Sequence, residues 1–172
     1  MAIRKIITAP DARLKQVSAP IEKVDDSVRA LMDDMLETMY AAPGIGLAAI
    51  QIGVPKRVIV IDLARDGEEP QPMYFANPEI TPTTDEMVTY EEGCLSVPEF
   101  YEDVERPATC RVKFLDYQNE LREIECDGLL ATCIQHEMDH LEGILFVDHL
   151  SRVKRSMVLK KLAKAKKLAE PA

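Results

Sequence analysis

The sequence lacks any apolar run long enough to cross a lipid bilayer, which excludes a membrane-spanning segment and predicts no membrane partner. It also lacks a C-x-x-C pair among its four cysteines, which stand at positions 94, 110, 126 and 133. The opening MAIRKIITAP has no long apolar stretch of the kind found in secretory signals. We therefore expect a soluble, cytoplasmic protein with free thiols rather than a secreted protein held by disulfides.

Internal repeats, low-complexity segments and linkers are absent too, so nothing in the sequence divides the chain. Its 172 residues are 47% hydrophobic and 30% charged, values typical of a globular domain that can bury a sizeable core. We expect residues 1–172 to form a single domain.

Charge is distributed unevenly along the chain. Residues 1–150 carry 13 basic and 29 acidic side chains, a net charge of −16, whereas residues 151–172 carry 8 and 1, a net charge of +7. In this tail Val158, Leu162, Ala165 and Ala169 fall at helical spacing, which predicts a basic C-terminal helix over 150–172. Such a helix is either a solvated terminal element or a contact site for an anionic partner such as RNA.

Hydrophobic spacing predicts two further helices. In DDSVRALMDDMLETMYAAPG (25–44), apolar residues recur at i, i+4 positions behind Asp and Ser residues that can cap the start. In DGLLATCIQHEMDHLEG (127–143), apolar residues lie nearly all round the helix, Asp127 can cap its start and Gly143 can end it in a left-handed conformation. A helix that is apolar on nearly all sides belongs in the interior of a fold.

The remaining pattern predicts strands. Short strands are expected at 57–62 and 73–78, and 109–117 with 121–126 should form a hairpin. The stretch around Cys94 has the character of a short strand or loop between Gly93 and Pro98. Together these elements predict an α+β fold, in which antiparallel strands wrap around the central helix that carries HEMDH.

Two of the three histidines of the chain lie in the central helix. His136 and His140 are four residues apart, about 40° apart around the helix axis and roughly 6 Å along it, so both imidazoles can reach one metal ion. Glu137 is turned too far round to bind that ion easily, a position that suits a general base acting on metal-bound water. The alternative is a buried histidine pair without metal, and the H-E-x-x-H pattern alone does not decide between them.

A catalytic site of this kind usually takes a third protein ligand. His149 follows Gly143 and lacks the H-x-x-G-x-x-H spacing that supplies a third histidine in one group of metalloproteases. Glu92 and Cys94, in EEGCLSVPE, are the other candidates. Cys94 alone among the cysteines has a loop-like setting next to a glycine, whereas the other three fall on strand or helix patterns and are expected in the core. From spacing alone, Cys94 is either a ligand or a core thiol.

Three segments of the chain, GIGLAAIQ (44–51), EGCLS (92–96) and HEMDHLEG (136–143), resemble the signature motifs of peptide deformylases of the bacterial type. The resemblance extends from the opening IRKIITAPDARLKQVSAPI over nearly the whole chain, and no motif position departs from the pattern of the family. It implies an enzyme that hydrolyses the formamide of N-formylmethionine at the start of new polypeptides and releases formate.

The resemblance also implies one divalent metal ion, most often Fe(II), for which Zn(II) or Ni(II) can substitute on the same ligands. The implied ligands are Cys94, His136 and His140. Glu137 is implied to take a proton from water and pass it to the leaving nitrogen. The side-chain amide of Gln51 and the backbone N–H of Leu95 are implied to stabilise negative charge on the formyl oxygen. Without the resemblance, Gln51 has the character of an ordinary surface amide.

GIGLAA is implied to form a wall of the substrate groove, where Gly44 and Gly46 allow close approach of the backbone. A plain turn is the alternative at Gly44, and a phosphate-binding loop is excluded because no G-K-S/T follows. The resemblance implies a methionine pocket lined by Ile45, Leu129 and Cys133. It further implies that Arg106 lies on the substrate side, whereas Asp139 is expected to play a supporting role away from the metal.

In bacterial deformylases the C-terminal helix is thought to dock at the ribosome, so the resemblance favours contact between the basic tail and ribosomal RNA. Two other function classes stay open. A metallopeptidase would cut acetyl-Met or internal peptides as well as formyl-Met peptides. A catalytically silent, metal-stabilised binding protein would not need Glu137, which is present.

Overall fold

A computed structural model describes residues 2–169, which form three α-helices, seven β-strands and three short 3₁₀ helices. The helices are α1 (Asp26–Ala41), α2 (Gly128–Leu141) and α3 (Arg152–Ala169). The strands are β1 (Gly46–Ala48), β2 (Val58–Ile61), β3 (Met73–Pro82), β4 (Met87–Cys94), β5 (Val97–Pro107), β6 (Cys110–Leu115) and β7 (Leu121–Cys126). The predicted α+β class is confirmed, and residues 170–172 of the predicted C-terminal helix lie outside the described residues.

Five strands form an antiparallel sheet in the order β1-β2-β3-β6-β7. The predicted hairpin is confirmed, since β6 and β7 pair from Cys110 opposite Cys126 to Leu115 opposite Leu121. Strand β2 is buried on both faces, as its continuous apolar run predicts. Its valines pack with α1 on one face and its isoleucines pack with α2 on the other, so the sheet lies between the two helices.

Helix α1 begins where the sequence predicts. The side chain of Asp25 accepts a hydrogen bond of 3.0 Å from the backbone N–H of Val28, which satisfies one of the free donors at the helix start. Met32, Met35 and Met39 are buried against β1 and β2. The i, i+4 apolar stripe is therefore the face that packs on the sheet.

Helix α2 is central, and its second half is more deeply buried than its first turn. Asp127 occupies the capping position, but its side chain makes no capping hydrogen bond, which differs from the prediction. Gly143 has the predicted left-handed backbone, with φ of +76°, and a Cβ there would collide with the backbone carbonyl of Lys15. Glycine is thus required where the chain leaves the helix next to the N-terminal segment.

Strands β4 and β5 form a separate two-stranded sheet that was predicted only as a short strand or loop. Only four of their 19 residues are buried, and two of those four are the charged residues Glu92 and Arg106, so the pair lacks the alternating apolar signal of a half-buried sheet. The register shifts between Gly93 and Cys94, at the tight connection that leads into β5. This hairpin brings Cys94 to the second half of α2.

Helix α3 packs on the rest of the structure through part of its predicted stripe. Val158 and Leu162 are buried in a cluster with Phe146 and Val147, whereas Ala165 is exposed. Among residues 2–169, no helix is long and apolar enough to cross a membrane.

Candidate active site

Three ligand-type side chains from distant parts of the sequence converge at the end of β4 and on α2. The ligand atoms of Cys94, His136 and His140 all lie within 4.8 Å of one another, and Cys94 Sγ is 3.3 Å from His140 Nε2. The two imidazole centroids are 5.1 Å apart, as expected for residues one helical turn apart. The hairpin β4–β5 supplies the sulfur and the helix supplies both nitrogens.

A carboxylate behind the site orients one of these imidazoles. Glu92 Oε1 lies 2.9 Å from His136 Nδ1, which leaves His136 Nε2 as the nitrogen free to bind a metal ion. Arg106 donates from Nε and Nη2 to the two oxygens of Glu92, at 2.7 and 2.9 Å, and from Nη1 to Asp139 at 2.9 Å. Burial by itself would raise the pKa of Glu92, but the hydrogen bonds from Arg106 and His136 outweigh it and hold that pKa below its ordinary value.

These contacts correct the prediction for Arg106. Arg106 is 5% exposed, its guanidinium is held by two carboxylates and it does not line the groove, so it lies behind His136 rather than on the substrate side. Asp139 has the expected supporting position, and it also contacts His149 Nε2 at 2.8 Å. His149 is thereby engaged away from the three converging ligand atoms.

Gln51 is buried, with only 1% of the residue exposed, although the sequence by itself gives it the character of a surface amide. Its Oε1 accepts the Ala48 N–H at 2.9 Å, and its Nε2 donates to Ser96 Oγ at 3.0 Å and lies 3.5 Å from Cys94 Sγ. These contacts hold the amide nitrogen next to the ligand sulfur. The short 3₁₀ helix Ala49–Ile52 that buries Gln51 has no periodic signal, so only the family resemblance could identify this residue.

Glu137 lies beside these three side chains and is only 3% exposed. Its Oε1 is 3.8 Å from His136 Nε2, and its Oε2 is buried without a hydrogen-bond partner among residues 2–169. Burial raises the pKa of Glu137 to about 7. A carboxyl group with a pKa near neutrality can both accept and return a proton.

The electrostatic surroundings of the two histidines differ. Burial lowers the pKa of His140 well below its ordinary value, which favours the neutral imidazole that metal binding needs. Burial also acts to lower the pKa of His136, but contacts with Cys94 and Glu92 raise it well above its ordinary value.

An open groove of about 570 Å³ runs past these residues. Five predicted substrate residues line it, together with Leu95: Gly44, Ile45, Gly46, Leu129 and Cys133. At Gly46 a Cβ would lie 3.0 Å from the sulfur of Cys133 and 3.2 Å from Glu137 Cγ, so a larger residue would crowd the site. The hairpin β4–β5 adds side chains that were not predicted, among them Tyr90, Phe100 and Tyr101.

The donor set fits a divalent transition metal. One thiolate and two imidazoles are typical ligands for zinc or iron, and three protein ligands leave a coordination position for water or substrate. Water activated beside a buried carboxylate is a means of hydrolysing an amide bond. This chemistry places the chain among the metal-dependent hydrolases.

Comparison with known proteins narrows this class to one family. The family model described as polypeptide deformylase matches residues 3–156. The peptide deformylase of Phenylobacterium zucineum is 68% identical over 169 residues, which cover 98% of this chain and 100% of that protein. The peptide deformylase of Hyphomonas neptunium is 65% identical over 167 residues, which cover 96% of this chain and 95% of that protein.

Solved structures agree with the sequence comparison. The crystal structure of peptide deformylase from Ehrlichia chaffeensis superposes with a TM-score of 0.92 at 40% identity, covering 97% of this chain and 98% of that one. The same protein in complex with actinonin gives a TM-score of 0.91 at 43% identity, with 96% and 98% covered. The chain belongs to the polypeptide deformylase family. It is a metal-dependent hydrolase that removes the formyl group from N-terminal N-formylmethionine of new polypeptides and releases formate.

Proposed function

We propose that Cys94, His136 and His140 hold the divalent metal ion of this deformylase. The convergence of their ligand atoms within 4.8 Å is the observation that carries the proposal. A metal ion bound there would supply Lewis acidity, which activates water and polarises the formyl carbonyl. Fe(II) is our proposal for the ion in the cell, as the family resemblance implies. Zn(II) or Ni(II) are the proposed substitutes, because a thiolate and two imidazoles suit all three metals.

Glu137 is the group that we propose to move the proton. Its carboxylate lines the groove, and its Oε1 is 3.8 Å from His136 Nε2, so it is close enough to act on water at the metal without being needed as a ligand. It takes the proton of that water and later delivers it to the departing methionine nitrogen.

Gln51 and the backbone N–H of Leu95 are the proposed donors to the formyl oxygen as negative charge develops on it. The position of Gln51 Nε2 beside Cys94 Sγ supports this role, since the amide is already fixed by Ala48 and Ser96. A preorganised donor needs no reorientation during the reaction, and each one typically contributes about 3 to 4 kcal/mol.

The methionine side chain of the substrate is proposed to enter the groove beside α2. Leu129 and Cys133 from α2 line this pocket, and Ile45 and Gly46 line it next to them. Cys133 carries no charge there, because burial raises its pKa well above the ordinary value of a thiol. The lining is thus suited to an unbranched apolar side chain.

We assign Glu92 and Arg106 as positioning residues. They reach the reaction only through His136, whose ring orientation and tautomer they determine.

The basic helix α3 is proposed to contact ribosomal RNA, so that the enzyme meets formyl-Met chains in the cytoplasm as they emerge. Its exposed lysines and arginines contrast with the acidic remainder of the chain, and attraction to phosphates would follow from that charge.

The test of the catalytic assignment is a formate-release assay on anaerobically purified protein of known metal content. Glu137→Gln should keep the metal and lose about 10²- to 10⁴-fold in kcat. A formyl-Met tripeptide should be cleaved, whereas its acetyl-Met analogue and internal peptide bonds should not. Unchanged turnover in the variant would contradict the role of Glu137, and equal cleavage of the acetyl analogue would indicate a peptidase instead.

A further inference from the structure

Two cysteines outside the active site face each other across the hairpin β6–β7. Cys110 and Cys126 are direct partners in the ladder. Opposite residues along an antiparallel hairpin alternate between hydrogen-bonded and non-hydrogen-bonded pairs. The Asp116 N–H donates to the Glu120 carbonyl, so Asp116 and Glu120 are a hydrogen-bonded pair. Cys110 and Cys126 lie six residues further along each strand and are therefore a hydrogen-bonded pair as well. The Cα atoms of such a pair lie about 5.5 Å apart, within the separation most common for disulfides.

Both side chains point to the same face of the sheet. Cys110 is 1% exposed and Cys126 is 2% exposed, and both belong to the core cluster that packs under α2. Directly opposite residues of an antiparallel pair have Cβ atoms about 4.5 to 5.5 Å apart, so each thiol is the nearest cross-strand neighbour of the other. Among the cysteines of residues 2–169, this is the pair that the sheet holds side by side before any reaction occurs, and both thiols are free.

We propose that Cys110 and Cys126 form a thiol-oxidation site that closes to an intramolecular disulfide with a two-electron oxidant such as hydrogen peroxide. Peroxide oxidises one sulfur to a sulfenic acid and releases one water. The second thiol attacks that sulfur, the S–S bond forms and a second water leaves, so two thiols and one peroxide give one disulfide and two waters.

The position of the pair explains how an oxidant reaches buried sulfur. Strand β7 is an edge strand with mostly exposed side chains, and Cys126 is its last residue. Edge strands and strand ends open locally at low cost in free energy. Cys110, by contrast, lies on β6 between β3 and β7, so the disulfide would tie the edge strand to the interior of the sheet.

The disulfide would stabilise the fold without involving the proposed metal ligands. It closes the loop 110–126, and a loop of that size lowers the entropy of the unfolded chain enough to raise the melting temperature by about 5 to 10 °C. The residue after Cys126 is Asp127, where α2 starts, so the bond also anchors the beginning of the helix that carries both histidines.

Peptide mapping tests the proposal directly, because a protease that cleaves before aspartate separates all four cysteines. The four peptides span 85–102, 103–115, 116–126 and 127–138. Full-length, zinc-loaded protein is treated with graded hydrogen peroxide, alkylated without reduction and digested. We expect a disulfide that joins 103–115 to 116–126, a melting temperature higher by about 5 to 10 °C, and reversal of both by dithiothreitol.

Two variants sharpen the result. Cys126→Ala should lose both the linked peptide and the rise in melting temperature, whereas Cys133→Ala should keep both. Links that involve 85–102 or 127–138, or separate sulfinic acids without the 103–115 to 116–126 link, would overturn the proposal. Mapping of the parent protein is decisive even where a variant fails to fold.

Discussion

Replacement of Glu92 by glutamine is the sharpest test of how Glu92 fixes the orientation and tautomer of His136. Glu92 Oε1 accepts from both His136 and Arg106, and Oε2 accepts from Arg106 alone. In Glu92→Gln one oxygen becomes an NH₂ group, which must then face an N–H donor in either orientation. If the new NH₂ group faces His136, it can donate to Nδ1 only when Nδ1 carries no proton. In that tautomer the proton is on Nε2, the atom proposed to bind the metal.

The expected magnitudes follow from burial. Glu92 and Arg106 have side chains 4% and 6% exposed, so a donor left without an acceptor costs about 2 to 3 kcal/mol of folding free energy. The melting temperature of the metal-free protein should fall by about 4 to 12 °C. The affinity for zinc should fall by about 10- to 100-fold, since orienting partners of metal-bound histidines typically contribute that much.

Chelator competition with zinc measures the affinity, and denaturant unfolding followed by circular dichroism measures the stability. Glu91→Gln is the matched control, because Glu91 is the preceding residue on β4 and its side chain is exposed. It should change neither quantity beyond about 0.5 kcal/mol. If Glu92→Gln bound zinc as tightly as the parent protein, the argument that Glu92 sets the tautomer of His136 would be refuted.

Three further changes test other parts of the structure. Gln51→Ala should lower kcat for formyl-Met peptides about 10²- to 10³-fold while zinc content stays the same, and a small effect would remove Gln51 from the proposed donors. Gly46→Ala places a Cβ 3.2 Å from Glu137 Cγ, so kcat/KM in the formate assay should fall at least about tenfold. Full activity would show that the neighbouring side chains can move to accommodate the methyl group. Gly143→Ala should lower the free energy of unfolding by at least about 2 kcal/mol, because its φ is positive and a backbone carbonyl blocks the new methyl group. Gly67→Ala, with a similar φ but open space around it, should cost about 1 kcal/mol in the same denaturation experiment, and equal losses would contradict the steric argument.

The parts of the fold that the sequence predicts are those whose signals are local. The spacing of His136 and His140 follows from helical geometry, and the alternating residues of β6 and β7 predict their hairpin. The capping residue Asp25 likewise acts within three positions of itself. Such features need no knowledge of distant contacts.

The features that escape prediction depend on contacts between distant residues. Arg106 lies on β5 and reaches Glu92 because the hairpin β4–β5 folds back on itself, and that hairpin has few buried residues and no apolar pattern. Gln51 is polar and lies in a short 3₁₀ helix, so only the sheets and helices packed around it make it a buried residue. The ligand role proposed for Cys94 could be inferred from the family resemblance, but not from its spacing to the histidines.

The start of β5 contributes to the groove but not to the three converging ligand atoms, which suggests how this enzyme could be altered. Residues 98–101, at the start of β5, line the groove but contribute none of the three converging ligand atoms. Tyr101 in particular is 65% exposed. A mutant library confined to this segment would therefore explore new peptide preferences while leaving the reaction chemistry intact, which makes it the natural starting point for redesigning selectivity.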